Sequence, residues 1–308
     1  MNYNLYWSVY KNLERELIEL SNMIHVDDKQ LEIYSIKIAE LLIRTVVEIE
    51  AISKELYYQN GGTKPDNNEL FFDTDCIDLL ENKWLLSKKQ VQVIAPNFYF
   101  NEVENKELTP FKKANKRGTS SSDWQKAYQA VKHNRAKSLS KGNLKHLIHG
   151  LAALFVLNLY YNNNIFKLGK DSKGITFNSN LGSSIFSVKL HISTGISPVS
   201  IFSKNPDFDE CIYLLKPTSE TGSIVQEATK MIDDTAIERT NKNIIFEIEK
   251  QLPTIKTTNL EELQKEFKSI AHKLRIENMK KVVEENSEKI RKAFEGLEYE
   301  AVLNKQQY

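Results

Sequence analysis

Hydrophobic residues in the first 60 positions recur at spacings of three and four, the pattern of helices with one buried face. The first helix is predicted from the stripe Tyr6, Val9, Tyr10, Leu13, Leu17, Leu20 and Ile24. Asp27 and Asp28 are predicted to cap a second helix, because carboxylate oxygens accept the free amide hydrogens of a first turn. Its apolar stripe is Leu31, Ile38, Leu42, Val46, Ile49, Ile52 and Leu56, and Gly61, Gly62 and Pro65 end it.

Residues 63–122 are less regular and are predicted to form an inserted segment with a short helix at 76–86 and short strands at 90–94 and 98–100. An exposed loop is expected before residue 122. Ser122 or Asp123 then caps a third helix, and a fourth begins near Gly142. The fourth becomes apolar nearly all round, which is typical of a helix in the centre of a core.

The polar run YNNNIFKLGKDSK at 161–173 predicts a boundary between a helical domain at 1–162 and a second domain at 174–308. Strands are predicted at 175–177, 184–192 and 210–215, and helices near Ser223 and again near Asn241. The predicted fold class is mainly α: a helical N-terminal domain, then an α+β part with a small antiparallel sheet and a long C-terminal helix.

The last long helix opens with Thr258 and Glu261, which match a capping box. A seam with a 3-4 rhythm follows, made of Leu260, Leu263, Phe267, Ile270 and Leu274. Such a seam packs on one partner helix. The partner is either another part of the same chain or a second copy in a dimer.

Composition places the chain among globular proteins, with 41% hydrophobic residues, 27% charged residues and a net charge of +1 over 308 residues. Its two cysteines exclude a disulfide framework and fit a reducing compartment. Three glutamates in the first 20 residues interrupt any signal-peptide core, and the apolar run 147–161 is short for a membrane span. A cytoplasmic protein without membrane association is therefore expected.

Charge is distributed unevenly along the chain. Residues 111–145 contain ten lysines and arginines but one acid, whereas residues 48–81 contain nine acids and two lysines. The basic segment predicts a face that binds nucleic acid. Its candidate binding residues are Lys112, Lys113, Lys116, Arg117, Lys126, Tyr128 and Lys137. The alternative is that these lysines meet the acidic segment across the fold.

The densest polar cluster is Lys132-His133-Asn134-Arg135 at the end of the third helix. Histidine can move protons, and arginine can clamp a phosphate through two hydrogen bonds. A charge in so apolar a helix as the second needs a partner, so either its charges pair with each other, Arg44 with Glu48 and Glu50 with Lys54, or one acid meets these cations. We expect the second arrangement, with Glu48 or Glu50 as the acid. The alternative is that these cations only complement a helix C-terminus.

Familiar nucleotide-binding, hydrolase and metalloprotease motifs are absent: the chain has no GxGxxG, GxxxxGK[ST], GxSxG, HExxH or CxxC. His146 and His149 are three apart and can face one metal, but no third ligand is identifiable nearby. We therefore predict neither a metal nor a cofactor.

The run DWQKAYQAVKHNRAKSLSKGNLKHLIHGLAALFVLNLYY resembles bacterial proteins that carry a Trp, then AYN-x-VKH-x-R, then a Leu/Ala-rich helix. The layout over residues 30–162 is similar to HEPN-like domains. Many of these are metal-independent ribonucleases of phage-defence, toxin–antitoxin and CRISPR-associated systems that act as dimers. HEPN ribonucleases carry an Arg followed four to six residues later by a His, a spacing that no Arg has here. Here His133 precedes Arg135.

The resemblance implies a ribonuclease in which Arg135 and Lys132 hold the scissile phosphate, His133 acts as acid or base, and Glu48 or Glu50 orients the cations. RNA, a second copy of the chain, and an antitoxin or defence protein are the implied partners. The alternative is a non-catalytic module that binds nucleic acid or protein through the same basic face. A third hypothesis is a small-ligand sensor whose pocket is formed by the C-terminal sheet.

Overall fold

The computed structural model describes residues 4–64, 69–113, 122–193, 195–255 and 259–308. The chain is mainly helical, with small sheets. Its helices are α1 (Leu5–Ser21), α2 (Ile36–Gln59), α3 (Ile77–Trp84), α4 (Val103–Lys106), α5 (Asp123–His133), α6 (Arg135–Ser138), α7 (Leu144–Asn162), α8 (Ser219–Gln251), α9 (Leu260–Glu285) and α10 (Ser287–Glu295). Its strands are β1 (Val26–Asp27), β2 (Val91–Val93), β3 (Phe98–Tyr99), β4 (Glu107–Leu108), β5 (Phe166–Gly169), β6 (Phe186–Val188), β7 (Leu190–Ile192), β8 (Tyr213–Pro217) and β9 (Tyr299–Leu303).

Helix α7 contacts α1, α2 and α5, and α2 also contacts α1 and α5. From Gly150 to Tyr160 every residue of α7 is buried, which confirms the prediction from its continuous apolar run. Gly142, just before α7, lies so close to α2 that an added Cβ atom would come within 2.7 Å of the Ala39 Cβ.

The capping residue predicted for α2 is wrong. Ser35 caps this helix by accepting a hydrogen bond from the Ile38 amide at 3.1 Å. Asp27 lies in β1, where it pairs with Tyr99, and its carboxylate accepts amide hydrogen bonds from Lys29 and Gln30. The helix begins eight residues beyond Asp28, because β1, a turn and the bridge of Tyr34 with Asn143 precede it.

The described residues form three small sheets. Strands β1 and β3 form a parallel pair, and the order β4-β2-β6 forms an antiparallel sheet. The largest sheet has the order β5-β9-β8-β7, in which β7 and β8 are parallel and the other neighbours antiparallel. The prediction of a wholly antiparallel C-terminal sheet is therefore wrong for one pair.

One predicted strand is wrong, and two strands of the largest sheet, β5 and β9, were not predicted. Residues 175–177 form a turn, whereas the adjacent polar run contains β5. The central strand β9 was not predicted. It follows α10 directly and is placed by its pairing with β5 on one side and β8 on the other.

One continuous cluster of buried hydrophobic side chains joins both halves of the chain. It includes Leu154 and Phe155 of α7 as well as Phe186 of β6, Tyr213 of β8 and Leu303 of β9. The polar run at 161–173 therefore does not separate two hydrophobic cores.

Helices α8 and α9 form an antiparallel hairpin inserted between the paired strands β8 and β9. Residues 223 and 241, where two helices were predicted, lie in the single helix α8 of 33 residues, about 50 Å long. The predicted seam faces α8 of the same chain, with Ile270 buried and Leu263, Phe267 and Leu274 half-buried. Asn259 caps α9 by accepting from the Glu261 amide, while Thr258 lies outside the described residues.

No helix within the described ranges combines the length and the hydropathy needed to cross a bilayer.

Candidate nucleic-acid interface

The predicted KHNR cluster lies at a corner between two helices. Ser122 begins α5, donating its backbone amide hydrogen to Gln125 Oε1 at 2.6 Å, and the Trp124 indole donates to the Pro110 carbonyl at 2.7 Å. The helix ends at His133, Asn134 leaves helical geometry with φ −148° and ψ 63°, and α6 follows. All six residues from Lys132 to Lys137 are exposed, and we refer to them as the α5–α6 corner.

A buried tyrosine supports the corner from beneath. The Tyr128 side chain is 2% exposed, and its hydroxyl donates to Glu50 Oε1 of α2 at 3.2 Å. The Lys132 ammonium lies 5.2 Å from the centroid of the Tyr128 ring. Burial and the Glu50 carboxylate raise the pKa of Tyr128, while the Tyr128 hydroxyl raises the pKa of Lys132. Lys132 is therefore held in its charged form, and Tyr128 supports the corner rather than offering a ring to a base.

Glu50, not Glu48, is the acid of α2 that reaches α5. The pKa of Glu48 is raised by burial, and the cation that acts on it is Arg44 of its own helix. Arg44 in turn pairs with Glu16 of α1, with 2.6 Å between Nη1 and Oε1. Residues 48 and 50 are about 200° apart around a helix, so only one of them can face α5.

His133, Arg135 and Lys137 extend into solvent. Within the described ranges, none of their side chains makes a hydrogen bond or an ion pair. The corner therefore presents two exposed basic side chains, Arg135 and Lys137, for contact with phosphates, together with a histidine whose orientation no described neighbour fixes.

The other predicted binding residues lie near the start of α5. Lys112 and Lys113 are exposed and line a cleft of about 350 Å³ with His149, beside Asp123. Helix α5 has 11 residues, so this cleft and the α5–α6 corner are roughly 15 Å apart along its axis. Lys126 of α5 is half-buried, and Lys116 and Arg117 lie outside the described residues.

Both histidines of α7 are held neutral near pH 7. Burial and the neighbouring Lys145 lower the pKa of His149 to about 4, and burial lowers the pKa of His146. His146 Nδ1 lies 2.7 Å from the Lys141 carbonyl oxygen. A search of the described residues finds no group of three or more His, Cys, Asp or Glu placed to hold a metal.

A second cleft, of about 750 Å³, lies on another part of the molecule, against the end of α7 and β5. Sequence reasoning assigned its Asn162 and Asn164 to a domain boundary, because the run of asparagines is typical of a loop. The alternation of Phe166 and Leu168 with polar neighbours was the available signal that this run contains a strand.

Comparisons with known proteins return no match: no family model fits the chain, and no curated protein and no solved structure is similar to it.

Proposed function

We propose that the protein binds nucleic acid, with RNA as the first ligand to test, through the α5–α6 corner. The observation that carries the proposal is a set of three exposed cations, Lys132, Arg135 and Lys137. Among the described acids, only Glu50 acts on any of them, from beneath Lys132. The resemblance to HEPN-like domains is the reason for testing RNA before DNA.

Exposed cations of this kind bind phosphates chiefly by releasing condensed counterions, so affinity falls as salt rises. Each phosphate contact adds about 0.7 to the slope of log K against log salt on a single strand. The contact of the Lys132 ammonium with the buried Tyr128 ring restricts this side chain, which lowers the conformational entropy lost on binding.

The test measures retention of a labelled single-stranded RNA at several salt concentrations. The variant Arg135→Gln/Lys137→Gln is expected to bind more weakly and to reduce the salt slope by about 1.4. The matched control is Lys265→Gln/Lys268→Gln, which removes two exposed cations from α9. An equal loss of RNA affinity in the two variants, or no RNA retention by the wild type, would contradict binding at the corner.

Metal-independent RNA cleavage is the second candidate, and the placement of His133 two residues before Arg135 favours it. In this reaction the ribose 2′-oxygen attacks phosphorus, the bond to the 5′-oxygen breaks, and a cyclic phosphate forms. The 2′-hydroxyl loses a proton and the 5′-oxygen gains one, so one base and one acid are needed. His133 can fill one role, and His133 of a second copy can fill the other in a dimer of the kind that the resemblance implies.

The cleavage assay contains EDTA and compares the wild type with His133→Ala and with the control His272→Ala, which changes an exposed histidine of α9. Loss of cleavage in His133→Ala alone supports catalysis. If the wild type binds RNA but does not cleave it, the result supports a non-catalytic binding module. An antitoxin or defence protein is then the next partner to test.

A further inference from the structure

The cleft of about 750 Å³ lies where the start of α1, the end of α7, β5 and the turn after residue 175 meet. Its volume falls within the range of small-molecule sites, and it is separate from the residues of the α5–α6 corner.

The apolar side of this cleft is a fixed aromatic wall. The rings of Phe166, Phe177 and Tyr213 touch one another, with centroids 5.3 to 5.7 Å apart. Phe177 and Tyr213 are buried, and the Tyr213 hydroxyl donates to the Asn164 carbonyl at 3.2 Å. The half-buried ring of Trp7 faces the cleft from α1. The three rings are tilted against one another by 47° to 73°, so a flat ligand ring would meet the half-buried rings of Phe166 and Trp7.

The polar side offers mainly hydrogen-bond donors. Asn4 Nδ2 donates to Asn162 Oδ1 at 2.6 Å, and Asn178 Oδ1 accepts from the Asn180 amide. The oxygens of Asn162 and Asn178 are therefore engaged, while no acceptor within the described part of the chain receives the amide hydrogens of either side chain. Lys167, whose exposed ammonium has no partner among the described residues, adds a positive charge, and no carboxylate lines the cleft.

We propose that this cleft binds a nucleotide. The heteroaromatic ring would lie against the aromatic wall, its carbonyl or ring-nitrogen acceptors would meet the amides of Asn162 and Asn178, and its phosphate would meet Lys167. Because the available side-chain groups are donors, guanine, with its adjacent O6 and N7 acceptors, and uracil, with its O2 and O4 acceptors, fit better than adenine, whose matching edge pairs N7 with an amine donor. The proposal stands independently of nucleic-acid binding at the corner.

The first measurement is the quenching of tryptophan fluorescence by GMP, UMP and AMP. Trp84 and Trp124 are buried, whereas Trp7 lines the cleft, so stacking of a base should quench Trp7. Saturable quenching by GMP or UMP that is at least fivefold tighter than by AMP, and that disappears in Trp7→Phe, supports the proposal. Absence of any quenching and of any calorimetric heat up to millimolar GMP and UMP overturns it.

Two variants locate the ligand. Lys167→Gln is expected to weaken GMP binding roughly tenfold through loss of a charge-assisted hydrogen bond, whereas the control Lys170→Gln, outside the cleft, leaves it unchanged. Asn178→Asp turns a donor into a negatively charged acceptor and is expected to weaken binding at least tenfold. Equal binding by the wild type and both cleft variants overturns the assignment.

A further arm distinguishes a free nucleotide from the terminal nucleotide of an RNA. GMP that displaces a short RNA from the wild type indicates that an RNA end enters the cleft. GMP that binds without displacing RNA indicates a separate small-molecule site, and both results support nucleotide binding. The corner variant Arg135→Gln/Lys137→Gln should bind GMP normally, so failure of one proposal is distinguishable from failure of the other.

Discussion

Glu14 is a buried carboxylate that fixes α1 to the turn before β6. Its side chain is 1% exposed, forms an ion pair with Lys11, and accepts hydrogen bonds from the Tyr10 hydroxyl, the Ser183 hydroxyl and the Ser184 amide. Burial by itself raises the pKa of Glu14, but the hydrogen bonds from Lys11, Ser183 and Tyr10 outweigh it and lower the pKa below its ordinary value. Glu14 is therefore ionised in the folded protein.

Glu14→Gln is expected to lower the free energy of unfolding by about 2 to 3 kcal/mol at pH 7, because buried donors lose a charged acceptor. A lowered folded-state pKa means that the contribution is complete above the ordinary carboxyl pKa and is lost as pH falls through the folded value. Urea unfolding at pH 7 and at pH 3.5 checks this: wild type and variant should differ less at the lower pH. The exposed control Glu19→Gln should behave as the wild type at both.

The buried Lys89 is expected to give the opposite dependence of stability on pH. Its side chain is fully buried, and its ammonium donates to the carbonyls of Asp209 at 2.8 Å and Cys211 at 3.1 Å. Burial lowers the pKa of Lys89 to about 8, against the smaller opposing effects of the Asp209 and Glu81 carboxylates. The folded protein therefore holds this proton less tightly than the unfolded chain does.

Between pH 8 and about 10.5 the stability of the wild type should rise relative to Lys89→Met, because the unfolded chain binds more protons over that window. Below pH 8 the difference should be constant. Urea midpoints at pH 7, 8, 9 and 9.5 measure it, with the exposed neighbour Lys88→Met as the control. A flat difference across the window would show that Lys89 keeps an ordinary pKa.

At the scale of elements, the helices whose signals lie within a single stretch of sequence were predicted well. The third and fourth helices, corresponding to α5 and α7, begin within one or two residues of the predicted positions, because their caps and apolar runs are local signals. Two helices were predicted in place of α8 because its middle is polar, with Asp233, Asp234 and Thr235 in succession. It continues because α9 covers the small residues Ala236 and Thr240, which no local pattern shows.

Burial along the hairpin predicts a gradient of local stability. In α8 the buried side chains are Gly222, Val225, Ala228, Ile232, Ala236 and Thr240, and none lies in the last eleven residues. Exposed Ile245 and Phe246 lie in that distal part. Amides of residues 241–251 should exchange with deuterium at least tenfold faster than those of 225–240, since few apolar contacts oppose local opening. Uniform exchange along α8 would indicate that a further contact covers the distal part.

At the scale of the whole molecule, the shared core predicts how fragments behave. Trp84 stacks on Tyr160 with centroids 4.4 Å apart, and the Tyr160 hydroxyl donates to the Asn304 carbonyl at 2.7 Å. A fragment of residues 1–163 would leave the face of α7 that packs on β6, β8 and β9 exposed. We expect this fragment to unfold without a cooperative transition by circular dichroism, while the full chain unfolds cooperatively. A cooperative fragment would support the domain boundary predicted from the sequence.

The two candidate sites differ in how far the sequence could predict them. The α5–α6 corner is contiguous in sequence, so the sequence alone predicts its cations. Which acid lies beneath them, Glu50 or Glu48, depends on how α2 is rotated against α5, which only the structure shows. The cleft lined by Asn4, Asn162, Lys167 and Tyr213 brings together residues up to 209 positions apart. Only the folded chain shows that these residues meet.

The insertion of the helical hairpin between β8 and β9 has a mechanical consequence. The two strands are antiparallel and pair from Pro217 with Tyr299, next to the hairpin, to Tyr213 with Leu303 at the far end. A force that pulls α8 and α10 apart would separate these pairs one after another from the Pro217 end, as a zipper opens, instead of loading all of them at once in shear. The last pair to part contains Tyr213, one wall of the large cleft, so such a force would reach that wall only after the other four pairs had opened.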